Sequence, residues 1–169
     1  MVPSPEELKN PSPVRHGCLA LILNQANAVL MVRPTAKDGG CYQLPGGTAW
    51  KNEPPWEAVR REVREETRLD VRPRRLLVLD WTAAQPDQDI AAGINFVFWC
   101  GRVPNHTPIT LPKPRGLKKS ELDDYRWVRV IDLDSCCAPY QVRRVRAALQ
   151  ARARGILMEL HEGHPTRPP

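Results

Sequence analysis

The chain has 169 residues, of which 41% are hydrophobic and 26% charged, an ordinary composition for one globular domain. Its 25 basic and 19 acidic residues give a formal net charge of +6, but the basic residues are scattered among acids without interleaved aromatics, which argues against a specific nucleic-acid site. No apolar run approaches the roughly 20 residues that span a bilayer. The five cysteines lack C-x-x-C spacing, which favours reduced thiols over disulfides or a zinc site.

The ends of the sequence differ in composition from its middle. Residues 1–15 carry four prolines and predict an N-terminal proline-rich arm. Residues 16–160 predict a single domain without internal repeats, and residues 161–169 predict a disordered tail. The first residues contain no apolar signal-peptide region, so we expect a cytoplasmic protein.

Taken in chain order, the first predicted elements are strands. Residues 18–23 and 28–32 are apolar runs joined by turn residues, the pattern of a β-hairpin. Residues 41–44 predict a short strand that ends at a Pro-Gly-Gly turn signal at 45–47. Two prolines at 54 and 55 then open a helix over residues 56–68. Its predicted buried stripe is Trp56, Val59 and Val63.

The second half of the chain predicts three more strands and a final helix. Short segments at 76–79, 94–100 and 125–128 are typical of strands, and residues 103–119 predict a long irregular loop. Asp134 or Ser135 is expected to cap the last helix, with Pro139 in its first turn. The predicted buried positions of that helix are Val142, Val145 and Leu149, with its arginines facing out. This order of elements predicts a mixed α/β layer fold.

Three glutamates mark the strongest candidate for a chemical site. Glu62, Glu65 and Glu66 lie at i, i+3 and i+4, so they project from one side of the predicted helix. Carboxylates this close repel one another unless a cation or arginines neutralise them. Clustered oxygen ligands suit Mg²⁺, Mn²⁺ or Ca²⁺ better than zinc. The alternative is an exposed acidic helix face paired with arginines, and the triad by itself does not exclude it.

The wider spacing around these glutamates resembles the signature of the Nudix family, G-x5-E-x7-R-E-U-x-E-E-x-G-U, where U is a bulky aliphatic residue. Eight of its nine defined positions match between residues 47 and 69. The matching residues are Gly47, Glu53, Arg61, Glu62, Val63, Glu65, Glu66 and Leu69. Arg68 replaces the last glycine of the signature; it removes no metal ligand but occupies a position where a left-handed helix cap is usual.

The resemblance implies an α/β/α sandwich with a mixed β-sheet. It also implies a hydrolase that cleaves a diphosphate linkage with water and Mg²⁺, with Mn²⁺ as the alternative cation. The residues implied to bind the cation are Glu62, Glu65 and Glu66, with a backbone carbonyl of Gly46 or Gly47. By the same resemblance, Arg61 holds a carboxylate through a paired contact, and Glu53 and Gly47 brace the site.

Two residues are candidates for the base that takes the proton from the attacking water. Glu62 is the first choice within the signature, and Glu121 is the candidate outside it, where a surface glutamate is the alternative. Arg33, at a strand end, is a candidate for binding phosphate. Trp81 is a candidate for stacking on a base, although tryptophans are more often core.

The substrate stays open at this stage, because family specificity usually lies in loops outside the signature. Nucleoside triphosphates, nucleotide sugars, ADP-ribose and non-nucleotide diphosphates such as isoprenyl diphosphates are all compatible with the sequence. We expect the binding partner to be a small-molecule diphosphate substrate, with a nucleotide as the first candidate. We expect neither a membrane nor a specific nucleic acid as a partner. A homodimer stays open.

Two alternatives come from other functional classes. A binding or regulatory module of the same fold would hold a nucleotide without cleaving it, but such modules usually lose signature carboxylates, and this chain keeps all three. A hydrolase acting on messenger RNA has only the net positive charge in its favour, and salt-dependent RNA binding would distinguish it.

Overall fold

The computed structural model describes residues 14–35, 40–85, 91–113 and 120–166. The strands in these ranges are Arg15–Asn24 (β1), Val29–Pro34 (β2), Gly46–Thr48 (β3), Arg75–Thr82 (β4), Gly93–Val103 (β5), Leu122–Val128 (β6), Met158–His161 (β7) and His164–Pro165 (β8). The helices are Pro55–Thr67 (α1) and Pro139–Arg154 (α2), with a 3₁₀ helix at Val130–Ser135. None of these helices is long and apolar enough to cross a membrane.

The sheet mixes parallel and antiparallel pairs. Its order in the described part of the chain is β6-β2-β1-β5-β4-β7-β8, with β3 paired to β1. β1 runs parallel to β5 and β4 runs parallel to β7, whereas the other pairs are antiparallel. The predicted mixed sheet is therefore confirmed, including the hairpin of β1 and β2.

The central strand β1 supplies both hydrophobic cores, because successive side chains of a strand point to opposite faces. Leu19, Leu21 and Leu23 pack with Val142, Val145 and Ala148 of α2. Cys18, Ala20 and Ile22 pack with Ala58, Val59 and Val63 of α1. One helix therefore covers each face of the sheet, which confirms the predicted α/β/α sandwich.

The start of α1 follows the prolines. Pro54 is its N-cap residue, and Pro55 stands in the first turn, where its missing N–H group leaves no hydrogen bond unmade. The predicted burial of Trp56 is wrong, since this side chain is 53% exposed. It lies in the first helical turn, and the core contacts of α1 begin only at Ala58.

The end of α1 is a left-handed cap at Arg68. Its φ of 62° and ψ of 11° lie in the region that costs a residue with a Cβ about 1 kcal/mol, and its N–H donates to the carbonyl of Arg64. We expect Arg68→Gly to raise the free energy of unfolding by up to about 1 kcal/mol and to leave activity within a few-fold. Urea unfolding and steady-state assays check this; loss of most activity would mean that Arg68 contacts substrate.

The segment before α1 departs from the prediction in one place. Residues 41–44 form only isolated bridges, which join Gln43 to Val32 and Tyr42 to Cys137. The regular strand comes at β3, where Gly46 and Gly47 pair with Leu19 and Cys18. The two glycines were predicted as a turn. In the structure, the edge of β1 that does not pair with β5 is free next to these glycines, so they pair with it as a short strand.

The C-terminal part contains two further corrections. Asp134 and Ser135 belong to the 3₁₀ helix and do not cap α2, whose N-cap residue is Ala138, with Pro139 in the first turn as predicted. The disordered tail predicted for 161–169 is wrong for residues 161–166, which form the end of β7, a turn and β8. Glu162 donates its backbone N–H to the carbonyl of Trp81, and this bond helps to hold the turn against β4. Residues 167–169 lie outside the described ranges.

The predicted arm also needs a boundary correction. β1 begins at Arg15, one residue before the predicted start of the domain, and residues 1–13 lie outside the described part of the chain. The irregular loop predicted over 103–119 begins after Val103, the last residue of β5. It has no helix or strand in its described part, residues 104–113.

A buried ion pair crosses from the sheet to α2. The side chains of Asp80 and Arg144 are 0% and 4% exposed, and Arg144 donates to Oδ2 of Asp80 at 2.7 Å. The other carboxylate oxygen of Asp80 accepts the backbone N–H of Gly163 at 2.9 Å. The prediction that the arginines of the last helix face out is therefore wrong for Arg144, because Asp80 provides a buried counter-charge that the helix pattern cannot show.

Candidate active site

The signature glutamates of α1 lie against β3. Oε2 of Glu66 accepts the backbone N–H of Gly46 at 2.7 Å. A Cβ atom added at Gly47 would lie 2.5 to 2.7 Å from the carboxyl atoms of Glu62, so the carboxyl group would have to move. Glycine at 47 therefore leaves the space that the Glu62 carboxylate occupies. These two contacts, Glu66 with Gly46 and Glu62 with Gly47, pack α1 against β3.

Arg61 connects the acidic residues around this contact. Its Nε and Nη2 donate to the two carboxylate oxygens of Glu53, both at 2.8 Å, which is a paired, charge-assisted contact. Its Nη1 donates to Glu62 at 2.8 Å and reaches Glu65 at 3.3 Å. Hydrogen bonding to Arg61 lowers the pKa of Glu53. Glu53 and Arg61 thus form a two-point ion pair beside the glutamates of α1.

Trp50 covers one side of this network. The guanidinium carbon of Arg61 lies 3.9 Å from the centroid of the Trp50 ring, a cation–π contact. The backbone N–H of Trp50 donates to Glu53 at 2.8 Å. Trp50 is nonetheless 65% exposed, so it packs on the network from outside, whereas the side chains of Glu53 and Glu62 beneath it are largely buried.

The electrostatics of the cluster favour a cation. Burial first, and then the negative charges of Glu62, Glu121 and Glu65, raise the pKa of Glu66 to about 8. Burial also raises the pKa of Glu62, against the opposing effect of Arg61. Carboxylates whose ionised forms are destabilised in this way gain from a positive ion nearby.

The donor set fits a hard divalent cation, although the side chains are not arranged around a common centre. Among the described residues, no three acidic, histidine or cysteine side chains meet at metal-ligand spacing. Gly46 holds Glu66, Arg61 holds Glu62, and the side chain of Glu65 is 55% exposed. Carboxylate oxygens and a strand carbonyl nonetheless make the kind of donor set that Mg²⁺ and Mn²⁺ take.

The remaining residues singled out in the sequence are not all at this cluster. Glu121 immediately precedes β6, and its charge contributes to the raised pKa of Glu66, so the structure brings these two carboxylates into one electrostatic environment. Arg33, near the end of β2, donates to Asp123 at 2.6 Å, and its guanidinium carbon lies 5.5 Å from the centroid of the Tyr42 ring. Trp81 lies on β4 and is 40% exposed.

A cavity of about 510 Å³ adjoins β3 on the face covered by α2. Gly46, Gly47 and Thr48 form one of its walls, so a single strand separates the cavity from the glutamates of α1. The first two turns of α2 also line it, as do β1, β5, the end of β4 with the residues that follow it, Gln43 and Glu162. Neither Arg33 nor Trp81 lines it.

Sequence reasoning missed this cavity because its polar residues come from separate elements. Arg15 lies at the start of β1, Asn95 on β5 and Gln141 in the first turn of α2, and all three line the cavity. No local spacing connects them. The one available signal was Asn95, a polar residue inside the otherwise apolar run of residues 94–100.

A family model described as the NUDIX domain matches residues 13–149. The chain belongs to the Nudix family. This match confirms the resemblance drawn from the signature and, at the level of the family, the prediction of a Nudix-type hydrolase. Nudix hydrolases in general use divalent metal ions.

Solved structures share the fold. The MutT protein from Methanosarcina mazei Go1 is 23% identical, with a TM-score of 0.66 over 86% of this chain and 97% of that one. An ADP-ribose pyrophosphatase from Streptococcus suis 89-1591 is 16% identical, with a TM-score of 0.62 over 88% and 99%. A bifunctional NMN adenylyltransferase/ADP ribose pyrophosphatase from Francisella tularensis, complexed with AMP and a Mn ion, is 20% identical, with a TM-score of 0.63 over 85% and 43%.

Proposed function

We propose that this Nudix-type hydrolase uses Mg²⁺, or Mn²⁺ in its place, to cleave the diphosphate linkage of a nucleoside diphosphate derivative with water. One observation carries the proposal. The short strand β3 has the carboxylates of Glu62 and Glu66 on one side and a cavity large enough for part of a nucleotide derivative on the other. The similar structures named for ADP-ribose, and the one holding AMP, support a nucleotide derivative as the substrate.

Glu62, Glu65 and Glu66 would hold the cation, with the carbonyl of Gly46 as a further ligand. When bound, a divalent cation offsets negative charge on phosphate oxygens and lowers the pKa of water. Arg61 and Glu53 act by position: their paired contact holds the carboxylate of Glu62 against β3.

Two carboxylates are proposed as the base that accepts the proton of the attacking water. Glu62 is the first, because burial raises its pKa toward the range in which a carboxylate accepts a proton more readily. Glu121 is the second, because it shares the electrostatic environment of Glu66 and lies outside the network held by Arg61. Replacing each by glutamine and comparing the pH profiles of kcat distinguishes them.

Metal dependence is the direct test of this function. We expect the EDTA-treated protein to release no phosphate, diphosphate or nucleotide from a panel of nucleoside triphosphates, nucleotide sugars and ADP-ribose. Added Mg²⁺ or Mn²⁺ should restore release from at least one of them. Full turnover in buffer shown by elemental analysis to be free of metal would contradict the proposal. Nucleotide binding without turnover at any metal concentration would favour a binding module of the same fold.

A further inference from the structure

The lining of the cavity beside β3 includes a positively charged side chain, that of Arg15, which no described carboxylate neutralises. The guanidinium of Arg15 lies over two glycines: a Cβ atom at Gly17 would come within 2.8 Å of its Nη1, and one at Gly93 within 3.0 Å of its Nη2. Its one side-chain hydrogen bond among the described residues is a long contact of 3.5 Å to Asn95. None of the ion pairs in the described part of the chain includes Arg15.

The environment of Arg15 disfavours its charge. Burial lowers the pKa of Arg15, and the positive charge of Arg144 lowers it further. Arg144 itself is neutralised by Asp80, so it does not need a ligand. Arg15 would gain from an anion in the cavity, because a negative charge would offset both effects.

The wall formed by α2 adds further unsatisfied polar groups. Arg143 lines the cavity, and its buried Nε–H has no hydrogen-bond partner in the described structure. Gln141 also lines it, is only 4% exposed, and has no partner for its amide oxygen. Both residues lie in the first two turns of a 16-residue helix, whose N-terminus carries partial positive charge. A buried polar group without a partner costs free energy, so these atoms point to a polar ligand.

Little aromatic surface is available for a nucleobase. Tyr140 is the single aromatic residue among the described residues that line the cavity, and the guanidinium of Arg144 already lies 5.4 Å from its ring centroid. Base recognition usually relies on stacking against aromatic faces. Apart from one acidic residue, Glu162, the charged and amide side chains of the lining are guanidinium and amide groups, which suit phosphate, carboxylate and hydroxyl oxygens.

We propose that this cavity binds a sugar bearing its own phosphate or carboxylate, with the anionic group held by Arg15 and Arg143 and a hydroxyl group by Gln141. The inference rests on the proposed function, since it assigns the half of the diphosphate substrate that is not the nucleoside. The substrate class is then a nucleoside diphosphate linked to an acidic or phosphorylated sugar.

Binding to the metal-free protein tests the site separately from catalysis. We expect isothermal titration of the full chain in EDTA to detect ribose 5-phosphate or glucuronate, with weaker binding as salt increases, and to detect neither ribose nor glucose. The two anionic probes show whether phosphate or carboxylate is preferred. Arg15→Gln should weaken the binding of the anionic probe by at least tenfold, and Arg72→Gln, an exposed arginine outside the cavity, should not change it.

A second variant keeps the test decisive. Thermal melts establish whether each variant is folded. Arg15→Gln is the deciding variant if it folds, and Arg143→Gln takes its place if it does not. The inference would be overturned if the deciding variant bound the anionic sugars as tightly as the wild type does. It would also be overturned by adenosine binding that competes with these sugars and is equally strong in wild type and variant.

Turnover then connects the site to the substrate. UDP-glucuronate and UDP-glucose differ only at one carbon of the sugar, which is a carboxylate in the first and a hydroxymethyl group in the second. We expect kcat/KM to favour UDP-glucuronate by at least tenfold in the wild type and by much less in Arg15→Gln. Equal kcat/KM for the pair in the wild type would overturn the inference. Absence of all diphosphate hydrolysis with Mg²⁺ would instead overturn the proposed function, and the binding data would still decide what the cavity holds.

Discussion

Replacing Glu66 with glutamine should lower kcat/KM by roughly 10²- to 10³-fold, the scale for removing one electrostatic catalytic group, about 2.7–4 kcal/mol. The change removes a negative charge and a proposed cation ligand but keeps an oxygen that can accept the N–H of Gly46. Burial raises the pKa of Glu66 to about 8. The neutral side chain is therefore tolerated in the metal-free protein, and the free energy of unfolding without metal should be unchanged or slightly higher.

The metal response of the same variant gives a second readout. Added Mg²⁺ stabilises a protein that binds it by a free energy that grows with the logarithm of the ratio of its concentration to the dissociation constant. Weaker Mg²⁺ binding should therefore reduce the increase in Tm in Glu66→Gln. Glu57→Gln is the matched control, because Glu57 is an exposed residue of α1 at an undefined position of the signature. It should keep both wild-type activity and the full Mg²⁺ response. If the two variants behave alike in assays and melts, the assignment of the metal site is wrong.

Replacing Asp80 with asparagine should lower the free energy of unfolding by about 3–5 kcal/mol, the range for removing one partner of a buried ion pair. Asparagine can still accept the N–H of Gly163, so the effect isolates the charge. Arg144, whose side chain is 4% exposed, would then be a buried cation without a counter-charge. Urea unfolding followed by circular dichroism measures the change.

Two comparison variants test the origin of this loss. Asp70→Asn breaks the exposed pair with Arg60 and should leave the free energy of unfolding almost unchanged, because solvent screens such pairs. Combining Asp80→Asn with Arg144→Met removes both charges and should recover much of the lost stability. A double variant as unstable as the single one would show that the pair matters through packing and not through charge.

The elements that carry the signature were predictable because their determinants are local. Helix geometry places Glu62, Glu65 and Glu66 on one side whatever the rest of the chain does, and the prolines at 54 and 55 mark the start of α1. The position of Arg68 in the signature also indicates its left-handed conformation. Short-range spacing was sufficient for each of these features.

Other features depend on partners far away in the chain and have no local pattern. Arg144 is buried only because Asp80, 64 positions earlier, lies opposite it in the fold. Residues 161–166 are ordered because backbone groups of their turn find acceptors on β4. The cavity joins Arg15, Asn95 and Gln141, whose elements meet only once the sheet and α2 are assembled.

The central pairing of β1 with β5 sets how the chain must fold. It brings together residues such as Arg15 and Asn95, which are 80 positions apart in the sequence. Closing the long loop between them costs chain entropy, and this cost must be met before the contacts between the two strands can compensate for it. We expect folding over roughly milliseconds to seconds, the range of proteins dominated by non-local pairs. During synthesis, the apolar residues of β1 remain without their partner strand until β5 has been synthesised. An excised peptide spanning residues 47–69 lacks β1, the strand with which β3 pairs. If the proposed metal site is correct, we therefore expect this peptide to bind Mg²⁺ more weakly than the full chain.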